Sequence, residues 1–159
     1  MKMLYVSTSR KPTQNTRILA KWLARLLDGE YENRGKRSVS DIAARMEEKS
    51  FARAVFVYEK HGSPHSLEFF DLQEGWLSPV VLIGGFTAES EKRVPVVTSF
   101  EAVDSEGRKI LGLGGFENSE VEDGLKLVAS AKEIGFYDGK NKVFSITVKG
   151  FANEGTAGN

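Results

Sequence analysis

The feature that most constrains the fold is an amphipathic stretch at residues 14–28, which directly follows a short apolar run. Its large apolar side chains recur about every 3.6 residues, which predicts a helix with one buried face. They are Ile18, Leu19, Trp22, Leu23, Leu26 and Leu27. Thr13 is the predicted N-cap and Gly29 the predicted stop. The preceding run, residues 4–9 (LYVSTS), predicts a buried strand, and Pro12 in the connecting loop separates the two elements.

The same alternation of strand and helix patterns continues along the chain. Ser38 and Asp41 have the spacing of a capping box, which predicts a second helix. Strands are predicted at residues 31–33, 54–58, 67–72, 80–84, 94–100, 109–113, 136–137 and 143–149, with a turn at 61–65. A further helix is predicted over 119–132, and 151–159 is predicted to be a flexible tail. This pattern is typical of an α/β protein.

Composition narrows the possible classes of protein. A chain of 159 residues that is 40% hydrophobic can bury a core as one domain. The absence of cysteine excludes a disulfide scaffold, a cysteine-ligated zinc site, an iron–sulfur cluster and cysteine catalysis. The apolar runs are too short to span a bilayer, and no signal-peptide pattern is visible. We therefore expect a cytoplasmic protein without a membrane partner.

The net charge of zero conceals a division along the chain. Residues 1–60 carry a net charge of +6, and residues 61–159 carry −6. All of the positive excess lies within the first 37 residues. A local excess of this kind indicates an anionic partner for the first half, or a domain with one basic and one acidic solvated face.

The start of the first predicted helix departs from the usual charge pattern of helices. Arg10 and Lys11 lie just before it and Arg17 lies in its first turn, where cations oppose the helix dipole. The helix predicted at 119–132 has acidic residues in its first turn, as the dipole favours. A bound phosphate would resolve the conflict, because free backbone N–H groups and several cations would then face one anion.

Basic residues continue beyond this point. Arg17, Lys21 and Arg25 form a stripe opposite the apolar face of the helix, and a Gly-interrupted loop contributes three more cations. These are Arg34, Lys36 and Arg37. A basic loop, helix face and second loop suit an extended polyanion better than one small ligand. An amphipathic helix with solvated cations is the structural alternative.

Other polar residues give no catalytic or metal site. His61 and His65 are separated by Gly62 and Pro64, which favours a turn over a helical metal pair. Ser7 and Ser9 have no evident His and Asp partners for a triad. The aromatic residues Phe69, Phe70 and Trp76 have spacings typical of a core. We therefore predict no catalytic residues, no metal and no cofactor.

Specific motifs give the chain a resemblance to a known family. The segment STSRKPTQNTRILAKWLARLL, followed by YENRGKRSVSDI, resembles the opening of the Brix-domain family of ribosome-biogenesis proteins. The family pattern is a T-S-R-[KR]-P-[ST] loop, a T-R-x-x-x-K helix and an N-R-G-K-x-S segment. It is matched by Thr8, Ser9, Arg10, Lys11, Pro12, Thr13, Thr16, Arg17, Lys21, Asn33, Arg34, Gly35, Lys36 and Ser38. Downstream, FVYEKHGSPHSLEF is similar to the family's strand and x-G-x-P-x-x-L turn.

The resemblance implies a fold. It implies one domain over residues 1–150 of the archaeal, single-domain type, with an N-terminal half of about 1–79 and a C-terminal half of about 80–150. Each half would have a mixed β-sheet with packed helices, similar to the anticodon-binding domain of class IIa aminoacyl-tRNA synthetases.

The resemblance also implies a non-catalytic function in ribosome assembly. The partner would be rRNA or pre-rRNA, with or without a ribosomal or assembly-factor protein, and no DNA is expected. The predicted RNA-binding residues are Arg10, Lys11, Thr13, Arg17, Lys21, Arg34, Lys36 and Arg37. Arg10 and Arg34 are the preferred phosphate anchors, because a guanidinium can make bidentate contacts.

Two alternatives stay open at this point. Residues 7–16 also resemble the phosphate loop of flavodoxin-like reductases, in which Ser, Thr and Asn side chains hold the phosphate of FMN. The basic face could instead dock on an acidic protein, which would make the chain an interaction scaffold.

Overall fold

The computed structural model describes residues 4–89, 94–117, 119 and 123–153, which form ten strands and three helices. The first part of the chain contains β1 (Tyr5–Thr8), α1 (Gln14–Leu26), β2 (Glu30–Tyr31), α2 (Val39–Glu48), β3 (Arg53–Lys60), β4 (Ser63–Asp71) and β5 (Gly75–Trp76). The second part contains β6 (Val80–Ala88), β7 (Val97–Ala102), α3 (Ser105–Gly114), β8 (Leu125–Ala129), β9 (Glu133–Asp138) and β10 (Asn141–Ala152).

All ten strands form one mixed sheet with the order β2-β1-β3-β4-β6-β10-β9-β8-β7, and β5 pairs with β4. Strands β2, β1 and β3 are parallel, as are β7 and β8, and the remaining pairs are antiparallel. The order β1-β3-β4-β6 in the first part of the chain is repeated by β7-β8-β9-β10 in the second part. The two sets meet where β6 pairs with β10, at the centre of the sheet. The two parts of the chain thus share one strand order, but they form a single sheet and not a separate sheet in each half as predicted. The division at residue 79 and the likeness to anticodon-binding domains stay predictions.

The sheet separates two apolar clusters. The larger cluster packs α1 and α3 against strands of both halves and includes Leu23, Val55, Ile110 and Phe136. The smaller cluster lies under α2 and includes Tyr5, Ile42 and Phe56. Strand β3 is buried on both faces from Ala54 to Tyr58, as expected of a central strand. The two clusters together bury both faces of the first half of the sheet.

The sequence predicted the first half well. Helix α1 begins after the N-cap Thr13, and α2 begins after Ser38, where the predicted capping box with Asp41 is present. Gly29 follows α1 as expected, and its backbone packs so closely that a Cβ there would lie 2.0 Å from the carbonyl oxygen of Leu4. The predicted turn at 61–65 is shorter, because β4 already begins at Ser63.

Three predictions for the second half were wrong. The run at 109–113 lies in α3, which is capped by a hydrogen bond from the Gly107 N–H to the Asp104 side chain. Within 119–132, residues Leu125–Ala129 form β8, because buried and half-buried side chains alternate there with period two. Residues 118 and 120–122 lie outside the described residues. The tail was predicted to begin too early, since Phe151 and Ala152 still belong to β10.

A charged side chain connects the two halves. The Arg53 guanidinium donates to the carbonyl oxygens of Gly112 at 3.1 Å and Leu113 at 2.6 Å, at the end of α3. Its Nε donates to Asp71 at 3.1 Å, which fixes the direction of the side chain. Helix α3 has no basic residue of its own in its last turn. Arg53 therefore supplies the positive charge that the carboxyl end of this helix favours.

Two glycines of α3 allow a direct test of its packing. Alanine at either position gains helix propensity of about 0.5–1 kcal/mol. At Gly112 the new methyl group meets no atom within 4 Å, but at Gly107 it would lie 2.1 Å from the Ala129 carbonyl oxygen. We expect Gly112→Ala to raise the free energy of unfolding by up to about 1 kcal/mol. Gly107→Ala should lower it by about 1–3 kcal/mol. Urea unfolding of both variants measures the difference, and equal values would contradict the packing described for α3.

Candidate nucleic-acid interface

Four exposed cations of the first half lie at one edge of the sheet, where the parallel strands β2, β1 and β3 end. Arg10 and Lys11 follow β1, Lys36 lies in the loop after β2, and Lys60 ends β3; all four are exposed. Adjacent strands lie about 4.8 Å apart, so these strand ends span roughly 10 Å. Loops at the carboxyl ends of parallel strands are the usual binding edge of α/β sheets.

The amino end of α1 lies at this edge. The negative charge that faces it is a carboxylate of the protein itself. The Glu59 carboxylate of β3 accepts hydrogen bonds from the Thr13 N–H at 3.0 Å, the Thr13 hydroxyl at 3.1 Å and the Thr16 hydroxyl at 2.6 Å. Helix α1 has no acidic residue in its first turn. Glu59 therefore supplies the negative charge that resolves the dipole conflict seen in the sequence.

The ionised state of Glu59 is favoured by these contacts. Burial works against the charged form, but the hydrogen bonds from Thr16 and Thr13, together with the nearby Arg17, lower the pKa of Glu59 below its ordinary value. Arg17 itself donates to the Pro12 carbonyl oxygen at 2.9 Å. The charge at the amino end of α1 is thus balanced without an external ligand.

This geometry gives one predicted site residue, Thr13, a structural role. Thr13 was predicted to be the N-cap of α1 and one of the RNA-binding residues. Its N–H instead donates to Glu59, and its hydroxyl contacts Glu59 and the Gly62 carbonyl oxygen. Thr13 therefore joins the loop to β3 and to the β3–β4 turn.

Arg34 was predicted to be a phosphate anchor, and the structure buries it to 2% exposure. Its guanidinium donates to the carbonyl oxygens of Thr8 at 3.0 Å and Arg37 at 2.7 Å, and lies 5.6 Å from the centre of the Phe56 ring. These contacts hold the loop after β2 against the end of β1. In this structure Arg34 therefore stabilises the edge from within.

The loop after β2 is held by a second arginine. Arg37 pairs with Glu32 at 3.0 Å and donates to the Asn33 carbonyl oxygen at 3.1 Å. Glu32 in turn accepts a hydrogen bond from the buried Tyr5 hydroxyl; burial and this carboxylate raise the pKa of Tyr5. Lys36 lies between the two arginines in sequence and is exposed. The loop therefore presents Lys36 outward on a framework built by Arg34 and Arg37.

The predicted basic stripe lies on the outer face of α1. Arg17, Lys21 and Arg25 are all exposed, and the stripe covers about 12 Å of helix. The Lys21 ammonium lies 5.8 Å from the Tyr31 ring centre, and the Arg25 guanidinium lies 4.9 Å from that of Trp22. Ile18, predicted to face the core, is 40% exposed beside this stripe. The stripe extends the basic edge along the helix.

The other residues considered in the sequence have structural roles. Ser7 donates to the Glu32 carbonyl oxygen at 2.8 Å. Phe69 lies in the core, and Phe70 and Trp76 pack beside the smaller cluster. No group of three His, Cys, Asp or Glu side chains within the described ranges could hold a metal ion. None of the helices described is long and apolar enough to cross a membrane.

Sequence reasoning missed two contributors to the edge. Glu59 gave no local signal, because its partners lie 43 and 46 positions earlier in the chain. Lys60 was visible as an exposed cation at a strand end, but only the parallel pairing of β3 with β1 places it beside Arg10 and Lys11.

Comparison with solved structures shows a known fold. The chain superposes on Mil, an archaeal Imp4-like protein, with a TM-score of 0.76 at 23% identity, covering 94% of this chain and 99% of that one. A probable ribosomal biogenesis protein from Aeropyrum pernix gives the same TM-score at 18% identity, covering 99% of both. The fold is therefore that of archaeal Imp4-like proteins.

Curated proteins of one description resemble the chain in sequence. A probable Brix domain-containing ribosomal biogenesis protein of Methanococcoides burtonii is 27% identical over 152 residues, covering 93% of this chain and 96% of its own. A protein of the same description from Archaeoglobus fulgidus is 39% identical over 72 residues, covering 45% and 44%. No family model matches the chain. The resemblance to the Brix-domain family is confirmed, and the chain is a homologue of these ribosomal biogenesis proteins.

The Glu59 network predicts a pH-dependent loss of stability. Because folding lowers the pKa of Glu59, its contribution is present at neutral pH and is lost as the pH falls through the folded-state pKa. Glu59→Gln should lower the free energy of unfolding by about 1–3 kcal/mol at pH 7. The difference from wild type should shrink below about pH 4. Urea unfolding at several pH values tests this, with the exposed Glu117→Gln as control. A difference that persists unchanged at acid pH would contradict the role of the carboxylate.

The two roles of the cations after β2 can be separated by stability. Arg34→Met should lower the free energy of unfolding by about 2–4 kcal/mol, because the carbonyl oxygens of Thr8 and Arg37 lose their buried donor. Lys36→Met removes the same charge from an exposed site and should change it by less than about 0.5 kcal/mol. Thermal unfolding compares them, and equal effects would show that Arg34 does not hold the loop.

Proposed function

We propose that this protein is a non-catalytic ribosome-assembly factor that binds folded rRNA or pre-rRNA through its basic edge. The binding surface comprises Arg10, Lys11 and Lys36 at the strand ends, and Arg17 and Lys21 on α1. One observation carries this proposal: these cations are exposed, while the buried charges beside them are already paired within the protein. The fold itself gives these exposed cations no evident structural role. The homologues are named as ribosomal biogenesis proteins, which also supports an RNA partner.

The shape of the surface supports a polyanion as the ligand. The strand ends and the outer face of α1 meet at the start of that helix and together extend over more than about 12 Å. Lysine and arginine side chains spread over such a length match successive phosphates of a nucleic acid better than one compact anion. Phosphate contacts position a nucleic acid without reading its sequence, so specificity would come from RNA shape or from a protein partner at the same place.

The flavin alternative is disfavoured by Glu59. In that alternative, residues 7–16 would hold the phosphate of FMN at the amino end of α1. The Glu59 carboxylate takes the Thr13 N–H and both threonine hydroxyls there, and its own negative charge would repel a phosphate. The proposal therefore includes no cofactor.

The proposal places the protein in the cytoplasm, on assembling ribosomal particles. A ribosomal or assembly-factor protein could bind there together with the RNA. Nuclease treatment of a native complex would distinguish the RNA from an acidic protein as the main partner, because only an RNA-dependent complex would dissociate.

Binding to structured rRNA fragments and to a matched DNA duplex tests the proposal. Fluorescence anisotropy across a salt series should show RNA affinity that falls steeply with salt. Arg10→Gln combined with Lys36→Gln should lower RNA affinity about tenfold or more at low salt and reduce the salt slope by roughly 1.4–1.8, since each phosphate contact contributes about 0.7–0.9.

The matched control is Arg108→Gln combined with Lys140→Gln. Both residues are exposed in the second half, so this variant loses the same charge at a distance from the edge. It should bind RNA as wild type does, and the thermal midpoints of both double variants should stay close to that of wild type. Equal losses in the two double variants would show that only net charge matters and would refute the proposed surface.

A further inference from the structure

The turn between β3 and β4 lies directly against the loop that carries Arg10 and Lys11. The Thr13 hydroxyl donates to the Gly62 carbonyl oxygen at 3.0 Å, and a Cβ on Gly62 would lie 3.7 Å from the Thr13 methyl group. Glu59, at the start of the same turn, binds the Thr13 N–H at 3.0 Å. These contacts fix the turn and the loop relative to each other, so the exposed His61 shares the edge with Lys11.

Both of these residues have an unusual backbone. Lys11 has a φ of 52° and His61 a φ of 53°, in the left-handed region that glycine adopts most easily. Gly62 follows His61 directly and is also left-handed, so a glycine in this turn is tolerated by the fold. A side chain other than glycine at these two positions costs conformational energy in the folded state, and an exposed side chain regains little of it by packing.

We infer that the β3–β4 turn is a further part of the RNA-binding surface. Lys60 would contact one phosphate, and the His61 imidazole would donate a hydrogen bond to another. This inference rests on the proposed function and adds a third strand end to it. Imidazole N–H groups and ammonium groups are both suitable phosphate donors. With β3 included, every strand of the parallel group presents an exposed basic residue at the edge: Lys11 after β1, Lys36 after β2 and Lys60 with His61 after β3.

The favourable backbone of glycine makes His61→Gly a sharp test. If His61 serves only the fold, glycine should leave the thermal midpoint unchanged or raise it, and RNA binding should not change. If His61 contacts RNA, the midpoint should behave in the same way, but the affinity for a structured rRNA fragment should fall about fivefold, as expected for one hydrogen bond. Ser50→Gly is the matched control, because Ser50 also has a positive φ, of 65°, and follows α2 away from the edge.

Lys60→Gln tests the contribution of the β3–β4 turn to RNA binding without changing the backbone. It should reduce the salt slope of RNA binding by about 0.7–0.9, whereas Lys132→Gln, in the corresponding turn between β8 and β9, should leave the slope unchanged. Wild-type affinity in both His61→Gly and Lys60→Gln, with weakened binding in the Arg10 and Lys36 double variant, would overturn this inference and leave the proposed function standing. Wild-type affinity in all of these variants would overturn the proposed function as well.

Discussion

The charged ends of β3 hold the rest of the structure in place. At its carboxyl end, Glu59 binds the amino end of α1; at its amino end, Arg53 binds the last carbonyl groups of α3. Neither helix carries a charge of its own that suits that end. Because β3 is an interior strand that is buried on both faces, it fixes two helices from opposite halves relative to one sheet.

The cations at the basic edge divide into two groups. Arg34 and Arg37 donate to backbone carbonyl oxygens or pair with Glu32, so they fix the loops at the sheet edge. Arg10, Lys11, Lys36 and Lys60 project from those fixed loops into solvent. A rigid framework of this kind holds exposed charges at set separations, and preorganised charges bind a shaped ligand at a lower entropic cost.

The sequence predicted elements whose signals are long or chemically specific. Examples are the apolar period of α1, the Ser38–Asp41 capping box and the β-branched and aromatic run of β3. Each of these signals is carried by residues that are close together in the sequence, so a local pattern is sufficient to predict the element. The run at 109–113 is too short to separate strand from helix by period, and the Asp104 cap that decides it was overlooked. At the site, exposed cations such as Arg10 and Lys36 could be read from charge alone. The burial of Arg34 and the role of Glu59 depend on contacts between residues more than 25 positions apart, which a local pattern does not contain.

The central β6–β10 pair joins the two halves through a long antiparallel ladder, from Phe144 opposite Ala88 to Ala152 opposite Val80, with register shifts on either side of Val148. Two halves that share a sheet have no linker between them to act as a hinge. The basic edge is formed by the ends of β2, β1 and β3, which belong to this same sheet. If an RNA binds there as proposed, it has to follow the path that these strand ends set, and the protein would then act as a template that selects among the conformers of an incompletely folded RNA.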